Sequence, residues 1–341
     1  MRRAVYKIIP KAGNMDRLKF IEEELNQPGE EEVTVKVEAI GLNFADIFAI
    51  FGLYSATPKG SFIPGLEYAG VVIARGKKVS QFKEGDKVMG VTRFGGYSNY
   101  LNIDHHYITS LPEDWSFEEG AAFPIQGITA YYALIELGAL KNNQSVLIHS
   151  AAGGVGILAN RIAKKFNAYT IGSIGSSSKI DVMKSEGYDD HIIRTDNFRE
   201  ELRNKLGDRP LNIVLECIGG QIFRDGFRLL APEGRMIVYG SASYATPGKR
   251  PNYLKILRQY WKRPKLDPTR MIEWNKSVMG FNLIHLYDNK DYFSDYLTRL
   301  TELDIGKPFI GGTYEFKDLI KAVRYFQTGK TIGKVVVKVS D

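Results

Sequence analysis

Residues 32–40 (EVTVKVEAI) alternate apolar and polar side chains at a period of two, which predicts a half-buried strand. Glycine and proline then punctuate the chain at Gly41, Gly52, Pro58, Pro64, Gly65, Gly70, Gly76 and Gly85. Strands broken this often predict a compact, mostly β module over the first third of the chain.

The pattern changes near Pro124. Apolar runs at 145–149, 169–174, 191–194, 213–218, 236–239 and 277–280 predict strands, and the intervals between them carry helical spacing. Residues 155–166 are an example, with Val155, Leu158, Ala159, Ile162 and Phe166 at helical intervals. Strands alternating with helices predict a parallel sheet covered on both faces. A helix over 316–326 and a strand over 333–339 close the chain. Too few to bury a core alone, they are expected to return to the N-terminal module. The expected domains are therefore 1–124 with 286–341, and 125–285.

Two stretches bear on membranes and targeting. Residues 120–135 carry no charge, but they contain Pro124 and Gln126 and are shorter than a membrane span, so a buried connector is expected. At the N-terminus, Lys7, Lys11 and Asp16 interrupt any apolar region that could follow Arg2 and Arg3 as a signal peptide.

Composition adds an ordinary globular balance, 44% hydrophobic and 25% charged, at a length that suits two domains. The single cysteine, Cys217, rules out a disulfide within the chain. The histidines are His105, His106, His149, His191 and His285, and with Cys217 they make no familiar zinc spacing, so no metal is expected. A cytoplasmic location is the matching expectation. The net charge of +7 is local. Residues 249–270 hold eight basic side chains against Asp267, an excess equal to that of the whole chain. Tyr253, Leu254, Leu257, Tyr260 and Trp261 follow helical spacing among these cations. A stripe covering the edge of a substrate cleft, with the cations solvated, is the expectation; contact with an anionic membrane or an acidic partner is the alternative. No nucleic-acid motif accompanies the charge.

The stretch 145–156, SVLIHSAAGGVG, runs from a buried strand through Ala151, Ala152, Gly153, Gly154, Val155 and Gly156 into a helix. This is the dinucleotide-binding fingerprint with Ala151 in place of its first glycine. Gly153 would let the backbone approach a pyrophosphate at the helix N-terminus, where free N–H groups favour an anion, and Gly156 would let the helix pack against the strand. An NAD site has an acid about 20 residues on. Here the second strand runs through Ser173 into Ser176, Ser177 and Lys179 with no carboxylate, and Arg194 ends the third strand. Hydroxyls and two cations without an acid suit a 2′-phosphate, so NADPH is the expected cofactor.

Together these residues resemble the zinc-independent medium-chain dehydrogenase/reductases, in the quinone oxidoreductase (zeta-crystallin-like) branch. The resemblance spans essentially the whole chain. It rests on Gly41-Leu42-Asn43-Phe44-Ala45-Asp46, Gly52-Leu53-Tyr54, Pro64-Gly65-Leu66-Glu67-Tyr68-Ala69-Gly70, Gly85-Asp86-Lys87-Val88, Gly95-Gly96-Tyr97-Ser98, the glycine loop and Gly333-Lys334-Val335-Val336. The long segment after Gly240, ending in Gly280-Phe281-Asn282-Leu283, is similar to the vesicle amine transport protein group. The resemblance implies an α/β chain: a GroES-like, mostly-β catalytic domain plus a Rossmann domain with a doubly wound parallel sheet. Zinc relatives place a catalytic Cys near Asn43 and a His just before Glu67, where this chain has Asn43 and Leu66.

Without a Lewis acid, the implied reaction is hydride transfer to a quinone or a conjugated enone. The resemblance implies that Thr129, Gly240, Ser241, Phe281, Asn282, Leu283 and Lys334 contact the cofactor. It puts Asn43 and Tyr54 on the substrate side, where both could donate a hydrogen bond to a carbonyl oxygen as charge builds there. Glu67 is read as structural, Asp46 as the anchor of its own helix start, His149 as a core histidine and Cys217 as inert. Glu216 stands where relatives more often have Asp. Reduction of enoyl thioesters, or a weakly catalytic NADPH-binding protein acting at a membrane or on a protein partner, are the alternatives. A homodimer is implied by the family.

Overall fold

The structure is a computed structural model that describes residues 1–339. In chain order its strands are β1 (Arg2–Ile8), β2 (Leu18–Glu24), β3 (Glu32–Gly41), β4 (Glu67–Arg75), β5 (Lys87–Val91), β6 (Tyr100–Asp104) and β7 (Ile108–Ser110). There follow β8 (Ser145–His149), β9 (Tyr169–Ile174), β10 (Asp190–Ile193), β11 (Leu211–Glu216), β12 (Leu230–Val238) and β13 (Ser277–Gly280), and finally β14 (Ile310–Glu315) and β15 (Lys334–Lys338).

The chain folds into two compact units. The first comprises Met1–Ile125, Thr246–Pro251 and the chain from Ile284; the second comprises Gln126–Ala245 and Asn252–Leu283. The short return at 246–251 is tied into the first unit by the Met15 N–H, which donates to Lys249 O at 2.8 Å, and by a 3.2 Å ion pair from Lys249 to Asp16.

In the first unit the strands lie in the order β14-β15-β3-β4-β5-β7, with β6 also pairing β3, and β1 and β2 form a separate hairpin. The alternating run puts Val33, Val35, Val37 and Ala39 fully inside, while Glu32, Lys36 and Glu38 are half-buried. Each buried valine contributes about 1.5–3 kcal/mol of transfer free energy. The helix Leu319–Gln327 turns Leu319, Ala322, Val323 and Phe326, one face at i, i+3, i+4 and i+7, into the same core. That contact brings the C-terminal helix and β15 into the N-terminal module.

The second unit is a parallel sheet in the order β10-β9-β8-β11-β12-β13. Val146, Leu147 and Ile148 of central β8 are fully buried, as strands covered on both faces require. Leu147, Ile171, Val214 and Met236 from four strands meet Phe198, Leu202 and Phe223 from the covering helices. The uncharged stretch at 120–135 is a buried connector. It holds the helix Pro124–Tyr131 and runs into the π-helical turn Tyr132–Leu137, with Ile128, Ala130, Ala133 and Leu134 inside. No helix among the described residues is long and apolar enough to cross a membrane.

Candidate active site

Each unit carries one cluster of the side chains singled out in the sequence. In the first, sheet register does the assembling. β15 pairs β3 with Val336 opposite Gly41, and β3 pairs β4 with Gly41 opposite Glu67. Lys334, two residues before Val336, thereby reaches Glu67 across the end of β3. Gly41 leaves the room: a Cβ there would sit 2.7 Å from Lys334 Cε, 2.9 Å from Glu67 Cγ and 2.1 Å from the Ala121 carbonyl oxygen.

Lys334 and Glu67 are both buried, at 1% and 0% exposure, and form an ion pair through Nζ and Oε1. Glu67 Oε1 also accepts from Asn43 Nδ2 at 2.8 Å, and Oε2 accepts from the Ile125 N–H at 2.9 Å. Lys334 Nζ donates to Asn43 Oδ1 at 3.0 Å. Burial pulls the Lys334 ammonium down from its usual range, against the opposing attraction of Glu67. Asp46 Oδ2 accepts from the Asn43 N–H at 2.8 Å and from Tyr97 Oη at 3.1 Å, which anchors the start of the helix Phe44–Ile50. Burial pushes its carboxyl up to about 7.

This geometry bears on two sequence expectations. Lys334, expected at the cofactor, has its ammonium engaged by Glu67 and Asn43. Asn43 uses its amide hydrogens on Glu67 Oε1 and, at a longer 3.3 Å, on Gly41 O. Donation from Asn43 to a substrate oxygen would require exchanging the Gly41 bond. Tyr54 is half-buried and packs against the core of the same unit.

In the second unit β8 delivers the glycine loop. The left-handed residue of the turn is Ser150, with φ +52°, and not one of the glycines. Gly153 caps the helix Gly154–Lys165, whose first N–H groups lack intrahelical acceptors. Gly156 is close-packed: a Cβ there would lie 2.7 Å from Ala151 Cα and from the carbonyl oxygens of Ser150 and Ala151. At Gly154 a Cβ would fall onto the Gln126 amide, whose buried Oε1 has no hydrogen-bond partner. Ala152 is buried and Val155 half-buried beside them.

Beyond the loop, Arg194 Nη1 donates to Ser173 O at 2.9 Å and to Ser173 Oγ at 3.1 Å. Gly175 leaves space for the guanidinium, since a Cβ there would be 3.0 Å from Nη2. Burial, and then the charge of Arg194, holds Lys179 below the usual ammonium range. Two cations thus share one neighbourhood at the ends of β9 and β10. Ser176 Oγ, exposed, pairs with Ser178 Oγ at 2.9 Å. Of the remaining residues, Thr129 and Leu283 are buried, while Ser241, Phe281 and Asn282 are half-buried. The Phe281 ring lies 5.0 Å from that of Tyr132. Gly240 packs against Cys217, where a Cβ on the glycine would lie 3.1 Å from the cysteine Cβ.

Sequence reasoning missed two relationships. The Lys334–Glu67 pair joins residues 267 apart, and nothing local announces it. The second is a row of buried polar groups at the ends of adjacent strands: Ser173 on β9, His149 on β8 and Glu216 on β11. A signal was available, because each of these apolar strands has a polar residue at or next to its C-terminal end. Glu216 Oε1 accepts the N–H groups of Ile218 and of Gly219, the latter at 2.7 Å, which holds the turn into the next helix.

Both units match known protein families. Residues 29–113 fit an alcohol dehydrogenase GroES-like domain, and residues 154–302 fit a zinc-binding dehydrogenase. The chain is 36% identical over 310 residues to the synaptic vesicle membrane protein VAT-1 homolog of Danio rerio, covering 90% of this chain and 64% of that protein's length. The homolog from Rattus norvegicus is 35% identical over 314 residues, with 91% and 77% covered. Among solved structures, the Escherichia coli quinone oxidoreductase complexed with NADPH superposes with a TM-score of 0.84 at 25% identity, covering 99% of this chain and 100% of that one. The CurK enoyl reductase superposes at 0.83 with 27% identity, covering 99% of each. The chain therefore belongs to the medium-chain dehydrogenase/reductase family. Within that family it is a quinone oxidoreductase-like protein near the VAT-1 homologs.

Proposed function

We propose that this protein is an NADPH-dependent reductase that delivers hydride to a quinone, or to another conjugated carbonyl or activated alkene, without a metal. The observation that carries the reading is the glycine loop with two cations beyond it and no acid between the loop and Lys179. The loop's N–H groups would hold the pyrophosphate, and Lys179 and Arg194 would hold the 2′-phosphate, with Ser173 and Ser176 beside them. Thr129, Gly240, Ser241, Phe281, Asn282 and Leu283 complete the cofactor contacts in this reading. Bound NADPH supplies the hydride.

The chain's own residues then orient the acceptor and stabilise the charge that develops on its oxygen. Tyr54 is the proposed donor to that oxygen. Asn43 is held by Lys334 and Glu67, so in this reading it contributes an amide of fixed orientation. The charge of Glu67, which zinc relatives keep next to a metal, is balanced here by Lys334, so the site is electrostatically complete with protein groups alone. A cytoplasmic location and a homodimer belong to the same proposal, the dimer at β13, the end strand of its sheet.

The test is oxidation of NADPH, with NADH in parallel, by metal-stripped protein offered an ortho-quinone. Turnover with NADPH and much slower turnover with NADH is expected. Tight NADPH binding with no turnover on the quinone, but turnover on an enoyl thioester, would move the substrate class. No NADPH binding at all would remove the reading.

A second reading has its own observation. The stripe expected to cover the cleft edge is exposed: Leu254 at 82%, Trp261 at 75% and Tyr253 at 64%, on the helix Tyr253–Trp261. Lys255 Nζ donates to Ala245 O, and the Arg263 guanidinium stacks 3.8 Å over the Tyr260 ring. Exposed aromatic and aliphatic side chains interleaved with cations suit an anionic lipid surface. Changing Lys255, Arg258, Lys262 and Arg263 to Ser is expected to weaken co-sedimentation with phosphatidylserine vesicles by about tenfold or more. Equal binding by wild type and variant would eliminate the membrane contact.

A further inference from the structure

We infer that His149 is a positioning residue for cofactor choice: through Ser173 it aims Arg194 at the 2′-phosphate. The inference deepens the NADPH reading above and rests on it.

The geometry is a row of four buried or half-buried groups. Arg194 Nη1 reaches Ser173 Oγ at 3.1 Å, and Ser173 Oγ lies 2.6 Å from His149 Nδ1. On the far side of the ring, His149 Nε2 and Glu216 Oε2 are 3.3 Å apart, and neither makes a hydrogen bond. Ser173 stands directly opposite His149 in the β8–β9 register, and Glu216 ends β11, the other neighbour of β8. His149 is fully buried at the start of the glycine loop.

Proton positions follow from donor and acceptor chemistry. A guanidinium only donates, so Ser173 Oγ accepts from Arg194 and keeps its own proton to give. Burial depresses His149 to about 3, so the ring is neutral and has one donor and one acceptor nitrogen. Nδ1 accepts a hydrogen bond from the serine hydroxyl, and Nε2–H then faces the Glu216 carboxylate. The opposite tautomer would set a lone pair against that carboxylate. Ser173 Oγ is therefore presented to Arg194 with its lone pairs forward. Together with Ser173 O, 2.9 Å from the same Nη1, it holds that nitrogen of the guanidinium by two bonds.

Asparagine and glutamine separate this role from simple packing. The amide of Asn reproduces the place of Nδ1, and that of Gln the place of Nε2. His149→Asn therefore keeps the bond to Ser173, while His149→Gln keeps the side facing Glu216 and drops Ser173. The probes are 2′,5′-ADP and 5′-AMP, bound by calorimetry, so that hydride chemistry does not enter. Wild type is expected to favour 2′,5′-ADP, His149→Asn to keep most of that preference, and His149→Gln to lose about tenfold of it, the loss of one charge-assisted bond. Should His149→Gln not fold, Ser173→Ala removes the same acceptor and is expected to show the same tenfold loss.

Equal preference in the Asn and Gln variants, at either the wild-type or a reduced level, would overturn the role of His149. So would an unchanged preference in Ser173→Ala. Wild type without any preference for 2′,5′-ADP would instead sink the NADPH reading, which separates the two failures.

Discussion

Replacing Lys334 by methionine is expected to lower the thermal midpoint by on the order of 10 °C. Lys334 and Glu67 are buried together, and removing one partner of such a pair leaves an uncompensated charge that costs about 3–5 kcal/mol. For a domain of this size each kcal/mol moves the midpoint by about 2–4 °C. Neutralising both partners behaves differently. In the double variant Lys334→Met with Glu67→Gln no charge is stranded, and the glutamine amide can still meet Asn43 and the Ile125 N–H. More than half of the lost stability should return. The measurement is a thermal scan of the four proteins of the cycle, without cofactor. A Lys334→Met midpoint within a degree or two of wild type would mean that the pair is not sealed from water, and the electrostatic account of a metal-free site would go with it.

That pair also marks where reading the sequence stops. The alternating run at 32–40 became β3, and the apolar runs at 145–149, 169–174 and 277–280 became β8, β9 and β13 over the same residues. In each case the information is local: period two, or a short apolar stretch closed by turn residues. The glycine loop was legible for the same reason, since turn, helix start and close packing all fall within a few consecutive residues. The hairpin strand Leu18–Glu24 has only Leu18 buried, so its composition carries little strand signal. The π-helical turn Tyr132–Leu137 is set by tertiary packing that no periodicity announces.

Site residues divide in the same way. The convergence of Lys179 and Arg194 could be anticipated because adjacent parallel strands bring their C-terminal ends together. The partnership of Asn43 with Lys334 could not, because it depends on β15 pairing against β3 nearly three hundred residues away. Glu216, unexplained as a departure from Asp, acquires a reason once its neighbours are seen. One oxygen holds the turn at Ile218 and Gly219 while the other faces His149.

The phosphate pocket gives the other large effect. Changing Lys179 and Arg194 together to alanine is expected to weaken NADPH binding by on the order of a hundredfold and NADH binding by less than about threefold. Two charge-assisted contacts at about 1.5 kcal/mol each set the first figure, and NADH lacks the group they would meet. In the free protein burial, and then the charge of Arg194, lowers Lys179. Removing both relieves that repulsion, which offsets part of the loss of the Arg194 bonds to Ser173, so the cofactor-free midpoint should move little. Salt provides an internal control. Wild-type preference for NADPH should fall as ionic strength rises, because it depends on half-exposed charge, whereas the double variant should show a nearly flat response. Fluorescence titrations of both cofactors at low and high salt decide the matter. A ratio of NADPH to NADH affinity that stays at the wild-type value would place the 2′-phosphate elsewhere, and a parallel loss of both affinities would mean that these residues support the fold of the loop and do not read the phosphate.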